Sequence, residues 1–296
     1  MSMIDTKKII TKSSSEAEIP DSQLCTVYRC GPVIEVVSVK KRNRNPPKVR
    51  RLPNNQYMDL STGEVKECQQ HTRAHSDSLR KSFVTLRRLI SKNFQGSINE
   101  LMLVLTYSVL MTDTTQLYKD FKTFFAKLQY HYGPLSYISV IEPQQSGSWH
   151  FHVLVKKKEF GLLYIPKEHL DKLWGHGFTY VQRIKEVDNV GAYLTSYFKN
   201  IDMLEGTTAS ENGKNKMIIK NARLQFYPHG VRIYRCSKDI KRVSPITLPY
   251  SKVKEIVGDM KPVRQSVKSI VAIQEDGTEK ELNTIQYRQY NFKRKR

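Results

Sequence analysis

The stretch Trp149-His150-Phe151-His152-Val153-Leu154 contains two histidines that flank one bulky apolar residue, in a run that alternates as a β-strand does. Successive side chains of a strand point to opposite faces of its sheet. The spacing therefore places His150 and His152 on one face, and Phe151 and Val153 on the other. Two imidazoles side by side on a rigid strand can hold one divalent metal ion. The alternative is an exposed sheet face that carries two histidines without a metal.

A third candidate ligand comes just before the histidine strand. Residues 136–142 are a predicted strand that ends at Glu142, and residues 143–147 are a predicted turn. In a hairpin, the residue before the turn lies near the start of the partner strand, so we expect the Glu142 carboxylate beside His150 and His152. Two histidines and one carboxylate leave positions open for substrate oxygens, which suits Mg²⁺ or Mn²⁺. A zinc hydrolase site and a solvated turn carboxylate are the alternatives.

About forty residues further on, residues 191–199 (GAYLTSYFK) contain two tyrosines at helical spacing. Tyr193 and Tyr197 are four residues apart, so they lie on one face of the predicted helix over residues 188–200. A phenol can attack phosphorus when a metal ion polarises the phosphate and stabilises the developing charge. The pair therefore suggests an enzyme that cuts DNA and holds the cut end on tyrosine. Simple packing of both rings is the alternative.

The charge balance points to a polyanionic partner. The chain has 296 residues, a formal net charge of +21 and a pI of about 9.7, with 39% hydrophobic residues. Nucleic acid is the favoured partner, and an anionic membrane surface competes with it. No stretch approaches the roughly 20 apolar residues of a membrane helix, and the N-terminus lacks the apolar core of a secretory signal. We therefore expect a soluble, cytoplasmic protein of unknown oligomeric state.

The chain divides into four predicted segments. Residues 1–24 are polar and are expected to be disordered, and residues 25–95 form a basic region with a hairpin and a helix. Residues 97–245 form the core, and residues 246–296 form a basic C-terminal extension.

Within the second segment, residues 40–51 are rich in basic residues and contain two prolines. We interpret this run as an extended arm that contacts DNA phosphates rather than as a solvated linker. The candidate contacts are Lys40, Lys41, Arg42, Arg44, Lys48, Arg50 and Arg51.

The order of elements in the core is β-α-β-β-α-β-α-β. This order predicts an α+β, ferredoxin-like fold in which helices flank a central, mostly antiparallel sheet. Its last helix carries the two tyrosines.

Three ordered motifs resemble those of the HUH endonucleases, specifically the rolling-circle replication initiators of plasmids, phages and integrated mobile elements. Residues 103–108 (LVLTYS) are similar to the first motif of that family, residues 149–153 (WHFHV) to its metal motif, and residues 193–197 (YLTSY) to its tyrosine motif. Residues 173–178 and 237–245 are similar to connecting and closing segments. The resemblance covers roughly residues 97–245.

This resemblance implies a metal-dependent endonuclease and strand transferase that nicks one strand of origin DNA and keeps its 5′ end on tyrosine. It implies that His150, His152 and Glu142 bind Mg²⁺ or Mn²⁺, that Tyr193 is the nucleophile, and that Tyr197 is a second nucleophile or a supporting side chain. Relatives often carry lysine three residues after each tyrosine. Here serine and asparagine hold those positions, and Lys199 is the neighbouring candidate for DNA contact.

The implied partners are origin DNA, a host polymerase and a host helicase. A conjugative relaxase, a transposase of the same superfamily and a non-catalytic nucleic-acid-binding module are the alternatives. Relaxases generally place the tyrosine before the histidines and use three histidines, whereas plain binding of nucleic acid would not require a metal.

Overall fold

The structure is a computed structural model, and the chain divides into two compact units. It describes residues 6–14, 16–42, 45, 47–54, 56–68, 72–144, 146–159, 161–184, 227–228 and 230–294. The second unit comprises Cys30–Pro32 and Ser76–Val243, and contains the predicted metal ligands. The first unit combines Met1–Arg29, Val33–His75 and Ser244–Arg296, so residues from both ends of the chain contribute to it.

An antiparallel sheet of five strands, flanked by helices, forms the centre of the second unit. The elements of this unit are α1 (Thr72–Asn93, most of which belongs here), β7 (Glu100–Leu105), α2 (Thr114–Tyr132), β8 (Leu135–Pro143), β9 (Trp149–Lys157), α3 (Lys167–Trp174), β10 (Thr179–Arg183) and β11 (Tyr234–Cys236). The strand order is β10-β7-β9-β8-β11, and all four pairings are antiparallel. This arrangement confirms the predicted α+β class with a central antiparallel sheet.

Helix α2 covers one face of this sheet. Its start is fixed by Asp113, whose carboxylate accepts a hydrogen bond from the backbone N–H of Thr115 at 2.7 Å, and Gly133 ends it with a positive φ of 81°. The buried face of α2 presents Phe121 to Phe151 of β9, with ring centroids 4.9 Å apart. Phe151 is fully buried, so the apolar face of the histidine strand is anchored in the core.

The opposite face of β9 carries His150, His152 and, further along, Lys156. The Lys156 ammonium donates to the carbonyl of Asn93, at the end of α1, and forms an ion pair of 2.9 Å with the buried Glu100. A carboxylate so deeply buried requires such partners. The other oxygen of Glu100 accepts bonds from three successive backbone N–H groups, of residues 95–97. The connection between α1 and β7 is thereby fixed against β9.

Close backbone packing at the end of β7 explains one glycine. A Cβ atom on Gly177 would lie 2.6 Å from both the Ser108 nitrogen and the Thr106 oxygen, so only glycine fits there. The chain around Gly177 pairs with the segment after β7 through backbone bonds from Thr106 to Phe178 and from Ser108 to His176. The predicted connection between α3 and β10 is therefore packed tightly against the end of the first motif.

The first unit contains a larger and a smaller sheet. Its elements are β1 (Thr6–Ser14), β2 (Leu24–Cys30), β3 (Val33–Val39), β4 (Val49–Arg51), β5 (Gln56–Asp59), β6 (Val65–Glu67), β12 (Ile246–Pro249), α4 (Tyr250–Val257), β13 (Arg264–Gln274), β14 (Glu279–Asn291) and a final 3-10 turn (Phe292–Arg294). The larger sheet has six strands in the order β1-β13-β14-β3-β2-β12, and the smaller one has three in the order β4-β5-β6. Helix α4 packs on the larger sheet through Tyr250, Val253 and Val257, against a core that includes Cys25 and Val27.

The smaller sheet differs from the larger one in having no core. None of the residues in β4, β5 and β6, all of which the structure describes, is buried. Its turn between β5 and β6 is closed by Asp59, which accepts bonds from the backbone and the hydroxyl of Ser61, and by Gly63 at a φ of 74°. The hairpin predicted over this region is confirmed, whereas β4 is a strand that the sequence analysis interpreted as part of an extended arm.

The terminal segments correct two expectations. Disorder was expected for residues 1–24, but Thr6–Ser14 is a strand that pairs with β13. Its polar, lysine-rich sequence resembles a disordered segment because an edge strand needs few apolar side chains. The C-terminal extension was expected to hold one weak strand, yet β13 and β14 form a long hairpin. The predicted tyrosine helix, residues 188–200, lies outside the described residues.

Candidate metal centre

The β8–β9 hairpin brings the three predicted ligands together. Glu142 is the direct cross-strand partner of His150, and Val140, two residues before it, is the partner of His152. Since residues at i and i+2 share a face of the sheet, all three side chains point to the same side. The prediction from the hairpin geometry is therefore matched by the register of the two strands.

The three ligand atoms converge on one point. The Nε2 atoms of His150 and His152 are 2.9 Å apart, and Oε2 of Glu142 lies 3.4 Å from the first and 3.0 Å from the second. Two ligands about 2.1 Å from one ion and at right angles to each other are about 3.0 Å apart. The separations thus fit two nitrogens and one oxygen around a single divalent cation. The group is identified as a possible metal-binding set within the described residues.

The centre is shielded from solvent but is not sealed. Only 5% of the Glu142 side chain is exposed, compared with 11% for His150 and 12% for His152. Burial alone raises the pKa of Glu142, but hydrogen bonds to His150 and His152 outweigh burial and lower the pKa to about 2. The carboxylate is therefore ionised at neutral pH, which is the form that binds a metal ion.

A polar network fixes the chain just after β7, on the face of the sheet opposite the histidines. The Tyr107 hydroxyl donates to Asp120 of α2 at 2.9 Å, and Gln116 donates to the second oxygen of the same carboxylate at 2.7 Å. Burial raises the pKa of Tyr107, and the bond to Asp120 raises it further, so this hydroxyl stays protonated. The indole N–H of Trp174 donates to the Thr106 carbonyl at 2.7 Å. The sequence analysis noticed this motif only through resemblance, because partners on three elements cannot be paired from spacing.

The structure treats the other predicted site residues differently. Tyr193, Tyr197, Lys199 and Arg44 lie outside the described residues, so their roles stay predictions. The start of the basic arm is held by its own unit. Lys40 pairs with Glu281 at 2.8 Å, the backbone N–H of Lys41 donates to Asn283, and the Arg42 guanidinium donates to Thr26 at 3.1 Å.

The remaining arm residues, Lys48, Arg50 and Arg51, are exposed. Only this part of the arm is therefore presented to a partner without a described intramolecular contact of its side chains.

Sequence reasoning missed a group of basic residues near β11. Arg232, Arg235 and Arg242 are separated in the chain by less basic residues, so they form no charge run. They gather around one edge of the sheet only because β11 pairs with β8 there.

The second unit is thus an α+β domain with a histidine–histidine–glutamate centre on the face of an antiparallel sheet. Comparison with known families gives one match, to the ORF2-type family of replication-associated proteins, over residues 100–202. The matched region begins at β7, includes all three metal-ligand candidates and extends past Tyr197. It supports the assignment of the chain as a Rep-type, replication-associated protein.

No curated protein matches the chain at a significant level. Across the part of the chain that the structure describes, each helix is too short or too polar to span a bilayer.

Proposed function

We propose that this protein initiates rolling-circle replication by nicking one strand of origin DNA and holding the new 5′ end on tyrosine. The observation that carries the proposal is the convergence of Glu142, His150 and His152 within 3.4 Å of one another, inside the region that matches a replication-associated family. The formal charge of +21 supports a nucleic-acid substrate. Action in the cytoplasm, together with a host helicase and a host polymerase, is part of the proposal.

The three ligands would hold a divalent ion, Mg²⁺ or Mn²⁺, beside the scissile phosphate. A bound ion of this kind polarises the phosphate and neutralises charge as it develops. The protein's own part is to fix the geometry. Phe151 anchors the strand in the core, the direct pairing of Glu142 with His150 sets the register, and burial keeps competing water away from the carboxylate. Pre-organised ligands need no rearrangement when the substrate arrives.

Tyrosine supplies the nucleophile in this proposal. The phenolic oxygen of Tyr193 attacks phosphorus, a P–O bond to tyrosine forms, and the bond between phosphorus and the 3′ oxygen breaks. The phenol loses its proton and the departing 3′ oxygen gains one, which leaves a 3′-OH to prime synthesis. The phosphotyrosine bond retains the free energy of the broken phosphodiester, so resealing needs no ATP. Tyr197 would act at a second transfer or support the first.

The test is incubation of the protein with labelled single-stranded origin DNA and Mn²⁺, followed by a denaturing gel. We expect a covalent adduct that disappears when the metal is chelated. Peptide mapping should locate the phosphate on Tyr193. Tyr193→Phe retains the ring but removes the nucleophilic oxygen, so it should bind DNA and form no adduct.

Two results would exclude this mechanism. DNA binding without any adduct under these conditions would favour a non-catalytic nucleic-acid-binding module. An adduct that persists in the Tyr193→Phe/Tyr197→Phe variant would exclude attack by either tyrosine. Relaxase or transposase chemistry would give an adduct too, but with transfer-origin or transposon-end DNA in place of a replication origin.

A further inference from the structure

A group of basic side chains surrounds the β11 edge of the sheet in the second unit. We call it the β11-edge cluster, and its members are Lys119, Lys122, Arg232, Arg235 and Arg242. They line two cavities of about 520 and 630 Å³ that share Val231, Arg232 and Arg235. Volumes of this size are typical of ligand sites. Among the described residues that line either cavity, none carries a carboxylate.

The positive charges of the cluster are not neutralised by their own unit. Among the described residues, no carboxylate forms an ion pair with any member, although Lys158 nearby pairs with Asp239 at 3.3 Å and Lys167 pairs with Asp171 at 2.6 Å. Like charges gathered without counter-ions repel one another and attract anions. The cluster therefore favours binding of a ligand with several negative charges.

Two tyrosines hold the arginines in place. The Arg235 guanidinium lies over the Tyr118 ring, 3.3 Å from its centroid, and the Tyr118 hydroxyl donates to the Arg232 carbonyl at 2.6 Å. Burial raises the pKa of Tyr234, and Arg242, which hydrogen-bonds its hydroxyl, partly offsets the rise. Guanidinium groups fixed on aromatic rings lose little further freedom when they bind phosphate.

The sheet register gives the distance from the cluster to the metal centre. Tyr234 of β11 pairs with Val140 of β8, and Val140 pairs with His152 of β9, so these residues form one row across the sheet. Neighbouring strands are about 4.8 Å apart, which puts β11 about 10 Å from the histidine strand. Stacked nucleotides rise about 3.4 Å each, so roughly three of them span this distance.

We propose that the β11-edge cluster binds the backbone phosphates of single-stranded DNA a few nucleotides away from the metal centre. The inference rests on the proposed function, because it takes the polyanion to be the strand that is cut. Single-stranded DNA fits better than a small anion, since positive charges distributed over two connected cavities match a run of phosphates. The tyrosines beside them are the kind of side chain on which unpaired bases stack.

The experiment measures how salt affects binding to oligothymidylate of about 16 nucleotides, with the metal chelated so that no cutting occurs. Arg232→Ala/Arg242→Ala removes two exposed charges and leaves Arg235 on its ring. The matched control is Lys127→Ala/Lys172→Ala, which removes two exposed charges from α2 and α3 outside the cavity linings. We expect weaker binding by the arginine variant and a log–log salt slope lower by about 1.4, since each single-strand phosphate that is no longer neutralised lowers it by about 0.7.

The outcomes separate the two proposals. An arginine variant that folds, as judged by circular dichroism, and has the slope of the control would overturn the cluster proposal, whether or not the wild-type protein forms an adduct. Loss of affinity for duplex DNA alone would overturn the single-strand assignment. If the wild-type protein forms no adduct while its binding depends on the arginines, the proposed nicking function fails and the single-strand site stands. Arg232→Glu/Arg242→Glu should weaken binding further than the alanine variant.

Discussion

The β8–β9 hairpin and the β4–β6 sheet are both antiparallel, yet they differ completely in burial. Phe151 of the hairpin is 0% exposed, whereas Val65 of the small sheet is 53% exposed. The hairpin is fixed by a packed core on one face and presents three ligands within 3.4 Å on the other. The small sheet presents arginine and lysine side chains on strands that lack a core. Precise chemistry thus occurs where packing fixes position, and adjustable contacts to a polyanion suit the sheet that nothing fixes.

The strongest way to break this comparison is to remove the metal ligands. His150→Ala/His152→Ala should abolish adduct formation, a fall of more than about 100-fold, because even loss of groups that merely support metal ligands costs 10- to 100-fold. Duplex DNA binding should change little, since basic residues supply most of that affinity. A gel-shift titration beside the adduct assay measures both. Full nicking by this variant with the metal chelated would rule out the metal assignment.

The second prediction concerns the anchor behind the ligands. Phe151→Ala should lower the free energy of unfolding by about 3–5 kcal/mol, because it leaves a cavity among Phe121, Trp174 and Tyr118. Denaturant unfolding of the variant and the wild type measures the change. A loss below about 1 kcal/mol would show that the histidine strand is not held by this packing.

The sequence predicted the second unit well and the first unit poorly. The β8–β9 hairpin has local signals throughout: an alternating strand, a turn containing Pro143 and Gly147, and a second alternating strand. These signals also placed Glu142 beside the histidines, because a short turn fixes the register of a hairpin.

The first unit lacks such signals because its pairing is non-local. Thr6–Ser14 pairs with β13, more than 250 residues away in the chain, and its own composition is polar. Hydrophobic patterning detects elements that bury a face, so edge strands and the β11-edge cluster escape it. Their structure depends on partners that only the folded chain brings near.

The third prediction tests the exposed part of the basic arm. Lys48→Ala/Arg50→Ala/Arg51→Ala should weaken binding to duplex DNA of any sequence and lower the log–log salt slope by up to about 2.7, or about 0.9 for each phosphate that is no longer neutralised. Adduct formation at saturating DNA should persist, because the metal centre is intact. Lys40→Ala is the matched control, since Lys40 is paired with Glu281 and should contribute less to the slope. An unchanged slope in the triple variant would show that the arm is only a linker.

The smallest expected effect concerns the stability of the small sheet itself. Val65→Ser removes an apolar side chain that is already half exposed, so little apolar area is returned to water and no cavity forms. The free energy of unfolding should therefore change by less than about 0.5 kcal/mol, as is usual for surface positions. Denaturant unfolding of Val65→Ser beside Phe151→Ala makes the contrast direct. A loss above about 1 kcal/mol for Val65→Ser would mean that this face of β6 is covered in solution, and the division between a packed catalytic hairpin and an uncovered binding sheet would then be wrong.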